Sequence, residues 1–103
     1  MTDMINSPSH YKHLASPLMA KVRHELTNGS DVDVVNIECF ESMINMLDTT
    51  DQIRGYLRGN SFKYRWRYPH KLSGVADLRK AKWYEDKLIK LEETIEQFYK
   101  ENA

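Results

Sequence analysis

A basic segment over residues 54–82 holds the side chains with the most specific chemistry in this sequence. It contains nine Lys or Arg and one acid, Asp77, although the whole chain has no net charge. At about 100° per residue, one side of a helix in this segment presents four polar groups: Asn60, Lys63, Tyr64 and Arg67. An ammonium and a guanidinium beside an amide and a phenol suit a bound phosphate. The spacing therefore predicts an anion site. The alternative is a solvated basic face that pairs with acids of a neighbouring subunit.

Helical spacing of apolar residues dominates the chain, so the predicted fold is all-α. We expect a small bundle of three main helices plus a short N-terminal helix, in one domain over 16–103 that follows a loop or arm over 1–15. Ser16 and Pro17 predict the start of the short helix, which should run over 17–27. Apolar positions within 32–47 predict a second helix, buried on more than one face, with Cys39 inside it.

The third helix should begin near Asp51, capped by a preceding threonine, and end before Pro69. Ser73 is a candidate cap for the last helix, whose pattern continues to about Tyr99. Apolar residues of this helix recur at seven-residue intervals in two series: Ala81, Leu88 and Ile95, and Tyr84, Leu91 and Phe98. We expect the two short helices to cover only part of this apolar seam.

Two features predict a homo-oligomer with its ligand site at or near a subunit boundary. One is the uncovered seam, because a chain of 103 residues buries only a modest core. The other is the pair Gly55 and Gly59, which costs the third helix of order 1 kcal/mol each relative to Ala. Close approach of another backbone, or of a ligand, would explain both glycines.

Composition and motifs exclude several classes of protein. There is no apolar run of about 20 residues, so we expect neither a signal peptide nor a membrane span. The single cysteine forms no internal disulfide and indicates a reducing compartment. The neutral total charge argues against nucleic acid as a partner, whereas the basic segment could still attract a small anion. Neither common glycine-rich phosphate loop is present, so nucleotide chemistry would need another scaffold.

Two groups of side chains are considered as metal ligands. The histidines at positions 10, 13 and 70 lack the spacing and thiol partners of a zinc site. Glu38 and Glu41 lie one helical turn apart and could present two carboxylates to Mg²⁺. The alternative is that both are surface acids of an amphipathic helix. We therefore assign no metal site from the sequence and keep these two glutamates as candidates.

Five short motifs resemble a family of small bacteriophage proteins that was long of unknown function and is now described as nucleotide kinases. They are PSHY at 8–11, IEC at 37–39, GNSFKYRWR at 59–67, HK at 70–71 and DLRKAKWY at 77–84. The resemblance implies transfer of a phosphoryl group to a deoxynucleoside monophosphate in the host cytoplasm, without the usual phosphate loop. A nucleoside triphosphate would be the donor, and the need for Mg²⁺ stays open.

Transferred by position, the resemblance implies a set of site residues, without itself saying which of them are catalytic. The catalytic candidates are His10, Lys63, Arg67 and Asp77. The candidates for nucleotide binding are Tyr11, Asn60, Tyr64, Lys71, Lys80, Trp83 and Tyr84. In a kinase, cations would neutralise phosphates, Asn60 would orient them, an aromatic ring would stack on the base, and His10 or Asp77 would handle the acceptor proton.

Two other functions remain open beside the kinase. The same pocket without turnover would make a protein that binds and sequesters a nucleotide. An all-α nucleotide pyrophosphohydrolase would instead use Glu38 and Glu41 to hold Mg²⁺.

Overall fold

A computed structural model describes residues 16–27, 37–70 and 72–103, and the regular structure in these ranges is entirely helical. The elements are α1 (Pro17–Thr27), α2 (Ile37–Met46), α3 (Thr50–Arg67), a short 3-10 turn (Tyr68–His70) and α4 (Gly74–Glu101). The predicted all-α class is confirmed. The predicted arm over 1–15 and the first part of the second predicted helix lie outside the described residues.

Local signals place the helix ends. The Ser16 hydroxyl accepts a hydrogen bond from the Met19 amide at 3.1 Å, and the Thr49 hydroxyl accepts one from the Gln52 amide at 3.1 Å. Both therefore satisfy an amide that the first turn of a helix leaves unpaired. Ser73 precedes α4 but makes no side-chain cap bond. These starts agree with the sequence prediction, apart from the missing Ser73 bond.

The turn between α3 and α4 depends on Gly74. A Cβ atom at this position would lie 2.6 Å from the Tyr68 carbonyl oxygen, closer than real contacts allow. Glycine is therefore required for the close approach of these two backbone segments. This approach fixes where α4 starts relative to the end of α3.

The core lies between an antiparallel α3–α4 hairpin and the two shorter helices. Ion pairs at both ends of the hairpin show that α3 and α4 are antiparallel. Arg54 Nε lies 2.5 Å from Glu92 Oε2 near one end, and Arg67 faces Asp77 near the other. The buried apolar residues that form one cluster are Met19, Val22, Leu26, Phe40, Ile44, Ile53, Leu57, Trp83, Tyr84 and Leu91. All four helices contribute to this cluster.

Two basic side chains cap the C-terminal ends of the short helices. Lys87 Nζ donates to the Leu26 carbonyl at 2.7 Å, and Arg23 Nη2 donates to the Leu47 carbonyl at 2.7 Å. Carbonyl groups at a helix C-terminus have no partner within the helix, so these bonds satisfy them. Burial lowers the pKa of both Lys87 and Arg23. The bonds tie α1 to α4 and α2 to α1.

Over residues 38–46, where its side chains are described, the second helix is buried on one face and not on the several faces that the sequence predicted. Its buried side chains are Phe40 and Ile44, which lie one turn apart on a single face. Cys39, expected inside, is exposed, and so is Met46. An apolar composition does not specify which sides of a helix have neighbours, and the described side chains of α2 present one side to the core.

The two short helices were expected to cover only part of the α4 seam, and in the structure the chain's own helices cover it as far as Ile95. Leu91 is fully buried, while Leu88 and Ile95 pack against the core from its edge. α1 runs along this part of α4, where Glu25 approaches Lys90 at 4.0 Å. The chain therefore covers most of the seam itself, and oligomerisation stays a prediction that needs another surface. No helix within the described ranges is long and apolar enough to cross a membrane.

Candidate functional site

Three cations surround the ring of Tyr64 at the closed end of the α3–α4 hairpin. Lys63 Nζ lies 4.7 Å from the ring centroid, and Arg67 Cζ and Lys80 Nζ each lie 5.4 Å from it. Lys63 and Arg67 come from α3, whereas Lys80 comes from α4. We call Lys63, Arg67 and Lys80 the basic cluster. A cation near an aromatic face gains about 0.5–2 kcal/mol, which offsets part of the repulsion among the three charges.

A stack of tyrosines holds Tyr64 in place. Its ring lies nearly parallel to that of Tyr84, with 5.9 Å between centroids and 9° between planes. Tyr84 in turn meets Tyr56 edge-on at 6.1 Å. Such pairs contribute about 0.5–1.5 kcal/mol each beyond burial. Because Tyr84 is buried in α4, the stack fixes the α3 side of the basic cluster against the α4 side.

Burial raises the pKa of Tyr84 well above its usual range, and its hydrogen bond with Tyr56 adds to the rise. Burial likewise raises the pKa of Tyr56, although the hydrogen bond with Tyr84 acts in the opposite direction there. Both phenols are therefore neutral at physiological pH.

These tyrosines predict a loss of stability at alkaline pH. A phenol that stays neutral in the fold but ionises in the unfolded chain stabilises the fold below its unfolded pKa, 10.0, and this contribution is lost as pH rises through the raised folded pKa. The free energy of unfolding should therefore decrease above pH 10. Lys87 changes the free energy of unfolding in the opposite direction, because the fold lowers its pKa and its contribution therefore increases as pH rises.

Comparison with Tyr84→Phe separates the two effects. Urea unfolding at pH 8 to 11 should give a smaller alkaline loss for the variant than for the wild type. Equal losses in the two proteins would contradict the role given to Tyr84.

Asp77 supplies the counter-charge beneath the basic cluster. It is 2% exposed, and its Oδ2 lies 3.7 Å from Arg67 Nε. This distance is too long for a hydrogen bond, and both atoms are buried without a hydrogen-bond partner among the described groups. Arg67 therefore compensates a buried carboxylate while its side chain stays partly exposed. Three cations against one carboxylate leave an excess of two positive charges at this surface.

Asn60 lies one turn before Tyr64 on the same side of α3, where its Nδ2 donates to the Tyr56 carbonyl at 2.9 Å. Trp83, expected as a nucleotide-binding residue, is buried and meets Phe40 edge-on at 4.7 Å. Its ring belongs to the core and presents no open face to a base. Tyr64, by contrast, is only partly buried.

Three of the remaining candidates cannot be placed, and two lie on α2. His10, Tyr11 and Lys71 lie outside the described residues. Glu38 is exposed and Glu41 partly exposed on α2. Among the residues that the structure describes, no three His, Cys, Asp or Glu side chains come together in a group that could hold a metal ion.

Sequence reasoning did not select Tyr56 as a site residue. Its carbonyl accepts the Asn60 bond and its ring supports Tyr84. The sequence did contain a signal for Tyr56, because positions 56, 60 and 64 repeat every fourth residue on one side of α3.

Fold and site together define a small all-α protein with a basic, tyrosine-supported surface at the end of a helical hairpin. Residues 21–86 match DUF3310, a family described as a protein of unknown function, and the chain belongs to this family. The matched range contains the basic cluster, the tyrosine stack and Asp77. No curated protein and no solved structure matches the chain.

Proposed function

We propose that the protein binds a nucleotide through its phosphates at the basic cluster and transfers a phosphoryl group to a (deoxy)nucleoside monophosphate. The observation that carries the proposal is the convergence of Lys63, Arg67 and Lys80 on Tyr64, with one buried carboxylate beneath them. Two of these cations are lysines that can follow a moving charge, and the third is a guanidinium that can hold two oxygens at once.

Phosphoryl transfer requires mainly positioning and compensation of charge, so a rigid group of cations is suitable chemistry for it. The tyrosine stack supplies that rigidity, because it joins the helices that carry Lys63 and Lys80. Asp77 is too deeply buried to reach an acceptor, so we assign it a positioning role for Arg67. A nucleoside triphosphate would donate the phosphoryl group, and Mg²⁺ bound to its phosphates would neutralise further charge.

Binding without turnover is the second candidate. The burial of Asp77 favours it, because the carboxylate that faces the basic cluster is too deeply buried to act as a general base. A protein of this kind would sequester a nucleotide. The pyrophosphohydrolase alternative would instead depend on Glu38 and Glu41.

One experiment distinguishes these functions. Purified protein is incubated with Mg²⁺, unlabelled ATP and each labelled deoxynucleoside monophosphate, and in parallel with each labelled deoxynucleoside triphosphate. We expect labelled diphosphate in the first set. Nucleotide that is bound but not converted would instead indicate sequestration. Release of pyrophosphate from the deoxynucleoside triphosphate in the second set would indicate hydrolysis. Absence of both turnover and binding would refute the proposal.

We further propose that the protein acts in the host cytoplasm as a homo-oligomer, with nucleotides as its ligands. The basic segment supports the nucleotide part, and the exposed face of α3 described below supports the oligomer.

A further inference from the structure

The outward face of α3 has a composition that its own chain does not explain. Gly55 and Gly59 lie in the interior of this helix, where glycine is unfavourable. A Cβ atom at either position would meet nothing within 4 Å. No contact among the described residues therefore requires a glycine at either position, in contrast to Gly74. The missing side chains leave space for something outside the molecule.

Two large aromatic rings continue the same face. Phe62 is 66% exposed and Trp66 67% exposed, and they stack on each other with 6.1 Å between centroids. Beside the glycines, α3 and Leu88 of α4 line a groove of about 620 Å³. Solvated aromatic rings next to a groove are characteristic of an interaction surface.

We propose that this face binds a second copy of the chain, with the two α3 helices antiparallel across a two-fold axis. Gly59 and Phe62 lie at equal distances on either side of the midpoint between Asn60 and Ser61, and so do Gly55 and Trp66. A two-fold axis through that midpoint would place each ring against a glycine of the partner. The stripe is therefore complementary to itself, as an isologous interface requires.

Charge agrees with this pairing. Arg58 and Arg65 flank the stripe, and Glu85 lines the same groove. Ser61 Oγ donates to Glu85 Oε1 at 3.0 Å, so Glu85 lies level with the centre of the stripe. In the antiparallel pair, Glu85 would lie between the partner's Arg58 and the partner's Arg65, where its single negative charge offsets part of theirs.

The expected area favours a dimer of moderate strength. Aromatic side chains bury about 150–250 Å² each, so four rings that are two-thirds exposed would remove roughly 400–650 Å² from water. Glycine backbone, Leu88 and the arginine stems would bring the total toward about 1,200 Å², the lower limit for specific interfaces. We therefore expect a dissociation constant in the micromolar range. At about 100° per residue, Lys63 lies only about 40° round α3 from Gly59, so the basic cluster would border the interface, near the subunit boundary expected from the sequence.

The test uses Gly59→Ala in the full chain without nucleotide, so its outcome is independent of the proposed activity. Alanine suits a helix interior better than glycine, and no described residue lies within 4 Å of the added methyl group, so the urea midpoint at dilute, monomeric concentration should rise. The same methyl group would obstruct the partner's Phe62. Sedimentation equilibrium should therefore show a dissociation constant at least about tenfold higher than that of the wild type.

Phe62→Ala should weaken the dimer by a similar factor, whereas Met46→Ala should not change it, because Met46 is equally exposed, at 62%, but lies outside the groove. Circular dichroism verifies that each variant is folded. A monomeric wild type up to about 500 µM would overturn the proposal, since that limit is far weaker than a micromolar dimer. A dissociation constant within twofold of the wild type for Gly59→Ala would also overturn it. So would a Gly59→Ala monomer less stable than the wild type, because the glycine would then serve the fold.

Discussion

Lys80→Ala should weaken nucleotide binding by about 1–3 kcal/mol, which corresponds to about 5- to 150-fold in the dissociation constant. The reason is that Lys80 is the member of the basic cluster that α4 contributes, and its ammonium lies 5.4 Å from the Tyr64 centroid. Lys63→Ala, on α3, should have an effect of the same size. Calorimetric titration with a deoxynucleoside monophosphate and with ATP measures both.

The matched control is Lys82→Ala. Lys82 lies two positions further along α4, is exposed, and donates to Asp86 at 2.8 Å outside the cluster. The Lys82→Ala variant removes the same charge from the same helix. Equal losses of nucleotide affinity in Lys80→Ala and Lys82→Ala would therefore mean that only total charge matters. Unchanged nucleotide affinity in Lys80→Ala and Lys63→Ala would mean that the nucleotide does not bind at the basic cluster. Arg67 is a poorer test, because its loss would leave the buried Asp77 without a counter-charge.

Leu91→Ala should destabilise the fold by about 2–5 kcal/mol, the range for removing a large apolar side chain from a core. Leu91 is fully buried in the cluster that joins the four helices, so the variant would leave a cavity. For a domain of this size, the loss corresponds to a decrease in melting temperature of at least about 8 °C. Thermal unfolding by circular dichroism at one fixed protein concentration gives the measurement.

Ile89→Ala provides the comparison, because Ile89 is a neighbour on α4 that is 50% exposed. Its change in stability should stay within about 0.5 kcal/mol. Similar losses of stability in Leu91→Ala and Ile89→Ala would mean that the chain does not itself cover the seam at Leu91. A partner chain would then be needed there, as the seven-residue spacing first indicated.

The helices themselves follow from local chemistry. Ser16 and Thr49 each have a hydroxyl that can pair with an amide of the next turn, and Pro69 lacks the amide that would continue α3. Such effects act over a few residues, so the sequence alone predicted the helix boundaries closely. It also placed Lys63, Tyr64 and Arg67 on one side of α3, because helical periodicity fixes relative direction within a single helix.

Tertiary structure decided what depends on contacts between helices. The neighbouring aromatic residues Trp83 and Tyr84 look alike in the sequence, yet Trp83 packs in the core against Phe40 while Tyr84 supports Tyr64. The arrival of Lys80 from α4 at the α3 site depends on the close turn at Gly74. The burial of Asp77 beneath Arg67 depends on the same turn. Helical periodicity orders residues around one axis, whereas burial and the distance between two axes are set only when side chains of several helices pack together.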